Sequence, residues 1–298
     1  MSNNGIQLKS SYTGASNWFR GNLHTHTTRS DGSRPPEAVI ADYDSRGYDF
    51  LAISDHDVLV KLDGYQKETS MTLIPAVEVT ARGPHVLQVN AEAWIEPHPN
   101  RQWVIDEINK QGGVSVLNHP NFEAHFNHFP QEQMEFLEGY HGIEIYNGVI
   151  ERLPGVALAT DRWDRLLTTG LEIWGFAHDD SHLPIDVELA WNMVQTENCT
   201  VEDITSALKA GSFYGSTGVT VTRVGAEGTT VHVETEDAQR IRFISNAGVI
   251  RSTVNAPEAT FTLPESPDDA AQLGYIRAEC YGAGGRMAWT QPFFIGTF

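Results

Sequence analysis

Residues 35–57 read PPEAVIADYDSRGYDFLAISDHD, and the order of events in this stretch decides the architecture of most of the chain. Two prolines and Glu37 open a helix, because proline is tolerated in a first turn and an acid favours the positive helix end. Ala38, Val39, Ala41 and Tyr43 give it an apolar side, and Gly47 ends it. The run DFLAIS (49–54) then reads as a buried strand that delivers Asp55, His56 and Asp57 at its C-terminal end. The same grammar recurs. RQWVIDEINKQ (101–111) stops at Gly112-Gly113 and leads into VSVLN (114–118), and a helix over 161–169 stops at Gly170 and leads into LEIWGFA (171–177). TLIPAVEVT (72–80), HVLQVNA (85–91) and GIEIYN (142–147) add further strands. Strands alternating with helices predict an α/β fold built of βαβ units, with a parallel sheet or barrel.

A last helix over 201–211, with Thr200 as its cap and Gly211 as its stop, completes that pattern. Beyond it the sequence turns to short alternating strands, TVHVET, IRFIS, ATFTL, YIRAECY and MAWTQPFFI, parted by Gly, Asn, Pro and Asp turns. The expected division is an α/β barrel over 1–215 and a small antiparallel β domain over 216–298, with Gly215–Gly218 at the junction.

Composition narrows the function. The 298 residues include 39 acidic and 20 basic side chains, a net charge of −19, which argues against nucleic acid or an anionic membrane as the main partner. At 40% hydrophobic residues the chain has material for a full core. No apolar run reaches the length of a spanning helix, and the first twenty residues lack the apolar segment of a secretory signal. Cys199 and Cys280 are isolated, which fits a reducing compartment and an expected cytoplasmic location. Oligomeric state is left open. The unusual feature is twelve histidines against two cysteines.

Those histidines fall at strand ends together with carboxylates. His24 and His26 follow Gly21-Asn22-Leu23, His56 follows LAIS, Glu78 closes LIPAVEV, His119 follows VSVLN, Glu144 lies in IEIYN, and His178, Asp180 and His182 come at the end of IWGFA. In a parallel barrel the C-terminal strand ends converge on one face, so residues distant in sequence meet. Imidazole with carboxylate and no thiolate suits zinc, manganese or iron. His-x-His on a strand presents both rings to one side, and Asp180-x-His182 has the same spacing. The inventory exceeds the four ligands of a mononuclear site about twofold. It therefore predicts two to three divalent ions, with a carboxylate such as Glu78 bridging and a metal-bridging hydroxide as the nucleophile.

NLHTHTTRSDG (22–32), AISDHD (52–57), EVT (78–80), NHP (118–120) and DDSH (179–182) resemble the ordered motifs of the PHP (polymerase and histidinol phosphatase) superfamily. ALKAGSFYGSTG (207–218) and AWTQPFFI (288–295) further resemble its CehA/McbA-type metallohydrolase branch, some of whose members act on carbamates or amides. The resemblance implies a distorted (β/α)7 barrel over about residues 18–215 and a trinuclear centre that mostly hydrolyses phosphoesters. It implies one metal at His24, His26, Glu78 and Asp180, a second shared by Glu78 with His119, and a third at Asp31, His56 and His182. Many relatives carry a further histidine after the strand resembling IEIYN. Here that stretch reads GVIERLPG (148–155), so Glu144, Asn147, Glu151, His85 and His178 are the candidates to complete the second site.

Among the remaining residues, Asp55 and Asp57 flank His56; one is expected to orient a metal-bound imidazole, the other to cap the next helix, and Asp179 to act likewise beside Asp180. His125 and His128 lie in the loop after His119 and line a substrate mouth in this reading, while Arg29, Lys61, Arg82 and Arg152 are candidates to hold a phosphate. His98, His141 and His232 read as surface or structural. The expected function is metal-dependent hydrolysis of a small-molecule phosphoester, with Asp180, Glu78 and His182 as the catalytic groups. The alternatives are a carbamate, ester or amide hydrolase on the same metals and a non-catalytic, metal-stabilised module.

Overall fold

The computed structural model describes residues 5–297. Its first part holds ten strands: β1 (Ile6–Lys9), β2 (Asn17–Asn22), β3 (Phe50–Ile53), β4 (Thr72–Val79), β5 (Val86–Val89), β6 (Val114–Leu117), β7 (Gly142–Asn147), β8 (Trp174–His178), β9 (Trp191–Thr196) and β10 (Phe213–Ser216). Five helices lie among them: α1 (Pro36–Ser45), α2 (Arg101–Lys110), α3 (Gln131–Phe136), α4 (Thr160–Thr168) and α5 (Val201–Ala210). Their ends follow from local chemistry. The Asn100 side chain accepts the Gln102 and Trp103 N–H groups at the start of α2, and Thr200 accepts that of Asp203 in α5. Gly211 ends α5 at φ 78°, where a Cβ would also strike the Trp174 ring.

The fold is mixed α/β with a large central sheet and few helices. Strands β2–β3–β4 and β6–β7–β8 pair in parallel, whereas β5 pairs antiparallel with both β4 and β6. Strands β4 and β6 therefore point the same way, and six C-terminal strand ends gather on one side. The reversal of β5 departs from the expected βαβ alternation. Only residues 80–85 separate β4 from β5, too few for a crossover, so the chain turns straight back.

The ladder runs from β2 to β8 and does not continue from β8 back to β2, so the closed cylinder of a (β/α)7 barrel is not formed by strand pairing. Side-chain amides occupy the free edge of β8 instead. Gln291 accepts the Gly175 N–H and donates to its carbonyl (both 2.9 Å), and Asn192 does the same for Ala177 (3.1 and 2.9 Å). One bridge, Thr25 to Ser181, ties the ends of β2 and β8.

The later residues form β11 (Val221–Glu227), β12 (Thr230–Thr235), β13 (Arg240–Ser245), β14 (Val249–Val254), β15 (Glu258–Thr262), the short helix α6 (Pro267–Ala271), β16 (Tyr275–Tyr281), β17 (Met287–Thr290) and β18 (Phe293–Thr297). Strands β11, β12 and β15 make a separate antiparallel sheet; the others join the large sheet, with β17 on β10 and β18 on β1. This part has its own apolar cluster around Val231, Ile241, Phe243 and Ile276. Buried Arg277 on β16 reaches α4 and clasps Asp164 with two hydrogen bonds (2.8 and 2.6 Å). None of the described helices is long and apolar enough to cross a membrane.

Candidate metal centre

Each strand ending on the common side contributes to one buried cluster. His24 and His26 stand just beyond β2, in extended chain whose Thr25 is turned away into the bridge with Ser181. Asp31 follows in a tight loop, where a Cβ on Gly32 would lie 2.5 Å from the His26 carbonyl oxygen; this explains the glycine of Ser-Asp-Gly. His56 and Glu78 are paired across the extended β3–β4 ladder. His119 follows β6 at φ 27° and Asp180 follows β8 at φ 52°. Left-handed backbone at such residues stores about 1–3 kcal/mol each, and strain of this kind gathers at functional sites.

The Glu78 carboxylate divides the cluster. Its Oε2 faces His24 Nε2 (3.3 Å), His26 Nε2 (3.5 Å) and His56 Nδ1 (2.8 Å), while Oε1 faces His85 Nδ1 (3.0 Å) and His119 Nε2 (3.1 Å). Asp180 Oδ1 closes the first group at 3.2 Å from His24 Nε2 and 3.0 Å from His26 Nε2. Asp31 stands exposed at the rim, 3.4 Å from His56 Nε2 and 3.3 Å from His182 Nε2. The structure thus brings all eight residues of the expected ligand set into one cluster, in which His26 also lies with Asp31, His56 and His182, and His24 with His119 and Asp180.

The donor atoms suit cations. His24 Nε2, His26 Nε2, Glu78 Oε2 and Asp180 Oδ1 are buried and make no hydrogen bond among the described residues. Buried polar atoms are otherwise nearly always satisfied. The spacings match as well: a tetrahedral ion with bonds of about 2.0–2.1 Å needs ligand atoms about 3.3 Å apart.

His85 enters the site because β5 is reversed, so that the start of this strand lies among the ends of its neighbours. That reversal supplies a second histidine on Glu78 where GVIERLPG has none. His128 adjoins His85 and His119 but is engaged elsewhere: its Nε2 accepts the His85 backbone N–H (3.1 Å) and its Nδ1 lies 3.2 Å from Glu123. Burial lowers its pKa to about 3, with His119 and His85 adding to the effect.

Glu144 is a hub of hydrogen bonds. Its Oε1 accepts from His24 Nδ1 (2.6 Å) and His178 Nδ1 (2.7 Å), and its Oε2 from the His119 backbone (2.6 Å) and Asn147 (2.9 Å). Asn147 also reaches Asp180 Oδ2 (3.1 Å), and Asn118 donates to Glu78 Oε1 (2.8 Å). Asn118 was not singled out from sequence, although it precedes His119 in the Asn-His-Pro motif. His178 holds Glu144 through Nδ1, and its Nε2 is buried without a hydrogen bond among the described residues.

Three expectations about neighbouring acids are corrected. Asp55 does not touch His56; it accepts from the backbone and hydroxyls of Thr27 and Ser30 (2.6–3.1 Å) and so pins the loop carrying Asp31. Asp57 caps no helix; it ties down Thr80 and Ala81. Asp179 accepts from Tyr43 and from the backbone of residues 188–190, and burial raises its pKa to about 6. Glu151 is taken by the Tyr146 hydroxyl (2.7 Å).

Electrostatics follow the crowding of carboxylates and imidazoles. Burial alone would lower His24 and raise Glu78; Asp180, then Glu78 and Glu144, overcome it and hold His24 well above its usual range, and His24 with His85 and His119 holds Glu78 well below its own. For His26 burial prevails over Asp180 and lowers it. For His56 burial is overcome by Asp31 and Glu78, which raise it to about 10.

A cavity of about 350 Å³ opens onto the cluster, with apolar walls from Phe122, Val149, Leu153 and Leu183. Of the four basic candidates only Arg152 lines it; Arg29 is fully exposed beside Tyr65, and Lys61 lines a separate depression. His125 is exposed on its loop and does not line the cavity.

No protein-family model matches the chain. A two-domain protein from Bacteroides vulgatus, containing a predicted PHP-like metal-dependent phosphoesterase, superimposes with TM-score 0.57 and 15% identity, covering 100% of this chain and 92% of that one. A lesion-specific endonuclease from Pyrococcus furiosus gives TM-score 0.46 and 14% identity over 65% of this chain and 56% of its own, too low a likeness to argue from. Among curated proteins, a 5'-3' exoribonuclease of Haemophilus influenzae is 32% identical over 84 residues, 26% of this chain. The match spans only 30% of that protein's length. The fold of this chain is PHP-like.

Proposed function

We propose that this PHP-fold chain is a metal-dependent hydrolase acting on a small-molecule phosphoester. The observation that carries the reading is the set of buried, unpartnered donor atoms that converge between Glu78 and Asp180. His24, His26, Glu78 and Asp180 would hold one ion; Glu78 with His85 and His119 a second; Asp31, His56 and His182 a third. Bound divalent ions such as zinc, manganese or iron would lower the pKa of water and neutralise phosphoryl charge. The chain's own residues do the rest. Glu78 presents one oxygen to each inner group. Asn147 and Asn118 hold Asp180 and Glu78 in orientation. Asp180, at the cavity wall, would take and return the proton of the attacking water, while the His182 Nδ1–H is held by the Asp180 carbonyl (2.8 Å).

The net charge of −19 supports a small ester over a nucleic-acid chain as the substrate. A second reading, attack on a carbamate or carboxylic ester, is favoured by the apolar walls at Phe122, Val149, Leu153 and Leu183. Elemental analysis of the purified protein, with a panel of p-nitrophenyl phosphate, bis-p-nitrophenyl phosphate, p-nitrophenyl acetate and a naphthyl carbamate, tests both. Two to three ions per chain and turnover of a phosphate ester are expected. Turnover of only the acetate or carbamate moves the function to the second reading, and activity that survives His24→Ala with His26→Ala overturns the metal assignment.

A further inference from the structure

We propose that Arg152, locked by Asp186, is a subsite that reads the second negative charge of a phosphomonoester whose leaving group is apolar or aromatic; this deepens the phosphoester reading above and rests on it. Arg152 belongs to the turn after β7. Its Nε donates to Asp186 Oδ1 (2.6 Å) and its Nη2 to Oδ2 (2.7 Å), a two-point pairing that fixes the plane of the guanidinium. Asp186 is itself buried, with 1% exposure, and its Oδ2 also accepts the backbone N–H groups of His182 (3.0 Å) and Leu183 (2.8 Å). One carboxylate therefore sets the position of Arg152 and of the segment carrying His182. The pairing engages Nε and Nη2 and leaves Nη1 available.

The surroundings give that cation a purpose. Among the described residues lining the cavity, Arg152 alone carries a permanent positive charge; the acids and histidines are those assigned to metals. A monoester carries about −1.5 to −2 at neutral pH, about half to one charge more than a diester can offer. Its second charge calls for a fixed cation beyond the ions that engage the reacting oxygens. The apolar walls and the volume of about 350 Å³ fit one aryl- or alkyl-sized leaving group. Leu183 is part of that wall. In the reaction the water oxygen forms a bond to phosphorus, the phosphorus–oxygen bond to the leaving group breaks, and the water proton passes to the leaving oxygen. The products are an alcohol or phenol and inorganic phosphate.

The test compares metal-loaded wild type, Arg152→Met, Arg152→Gln and Arg152→Lys on p-nitrophenyl phosphate and bis-p-nitrophenyl phosphate. Calorimetric binding of phenylphosphonate is measured in parallel, and thermal melts and metal content monitor integrity. Both neutral variants are expected to lose about tenfold to a hundredfold in kcat/KM on the monoester, mainly through KM, as befits one charge-assisted hydrogen bond. They should lose less than about threefold on the diester and bind phenylphosphonate about tenfold more weakly or worse, with Arg152→Lys intermediate. Equal losses on the two esters, or none, overturn the subsite while leaving the phosphoester reading intact. If wild type hydrolyses neither ester, that reading fails, and phenylphosphonate alone decides: weaker binding to the neutral variants supports the subsite, and unchanged binding overturns it.

Discussion

His24 donates its Nδ1–H to Glu144 Oε1 at 2.6 Å, and that bond decides which ring nitrogen faces the centre. With Nδ1 protonated, Nε2 presents its lone pair towards Glu78 and Asp180. The same Oε1 accepts from His178, and the other oxygen holds the His119 backbone, so one carboxylate from β7 positions groups from β2, β6 and β8.

Glu144→Gln is therefore expected to weaken metal binding about 10- to 100-fold, the usual effect of removing a partner of a ligand. The amide NH2 must also confront a donor from His24, His178, His119 or Asn147, which adds a loss of about 1–3 kcal/mol in stability. Competition with a chromophoric chelator and urea unfolding of the metal-loaded protein measure the two effects.

Asp55→Ala frees the backbone and hydroxyls of Thr27 and Ser30 and loosens the loop that carries Asp31. Metal stoichiometry should fall by one, from the group of Asp31, His56 and His182, while the inner ions stay. Loss of the inner ions first would contradict this division.

Metal loading should release protons. In metal-free protein His24 and His56 are held above their usual range, because nearby carboxylates outweigh burial, and His56 reaches about 10. At pH 7 His56 is protonated and must give up a proton before it can bind. Calorimetric titration with zinc in buffers of different ionisation enthalpy is expected to show at least one proton released per chain; proton uptake would refute the assignment.

Stability should also fall on acidification through a residue remote from the cavity. His141, at the start of β7 and so at the far end from the centre, is lowered by burial to about 4, with Lys209 acting in the same direction. Its Nδ1 accepts the Ser115 N–H (3.2 Å), which requires the neutral ring. The unfolded chain takes up this proton near pH 6.5 and the folded chain only near 4. Its contribution is therefore complete above pH 6.5 and is lost between these values, at no more than about 1.4 kcal/mol per pH unit. His141→Gln should flatten that part of the stability profile of the metal-loaded protein.

Gln291→Ala removes both partners from the peptide groups of Gly175. Each buried group left unpaired costs about 1–3 kcal/mol. A loss of that order in urea, with faster hydrogen exchange at Gly175 than at Ile143, is the expected outcome.

The sequence discloses the ligands better than it discloses their supports. His24, His26, His56, His119 and Asp180 stand at strand ends marked by helix stops and apolar runs, so their convergence follows from a fold those same runs imply. The direction of β5 is not legible, because a four-residue apolar run such as Val86–Val89 reads alike in either sense. The sequence therefore offers His85 only as one of several candidates for the second site. The partners of Asp55, Asp57 and Asp179 depend on where loops pass each other, and Arg29 and Arg152 look equivalent until Asp186 is seen to fold back onto one of them. Strands β1, β9, β10, β11 and β14 are not legible either, because short, mixed runs carry little periodicity.

The amides that seal β8 have a consequence for synthesis. Gly175 and Gln291 are 116 residues apart, so a chain leaving the ribosome exposes this edge, with His178 and Asp180 beside it, until the β17–β18 segment has emerged. An unpaired edge recruits other strands. During that interval a neighbouring copy could pair where Gln291 will later sit.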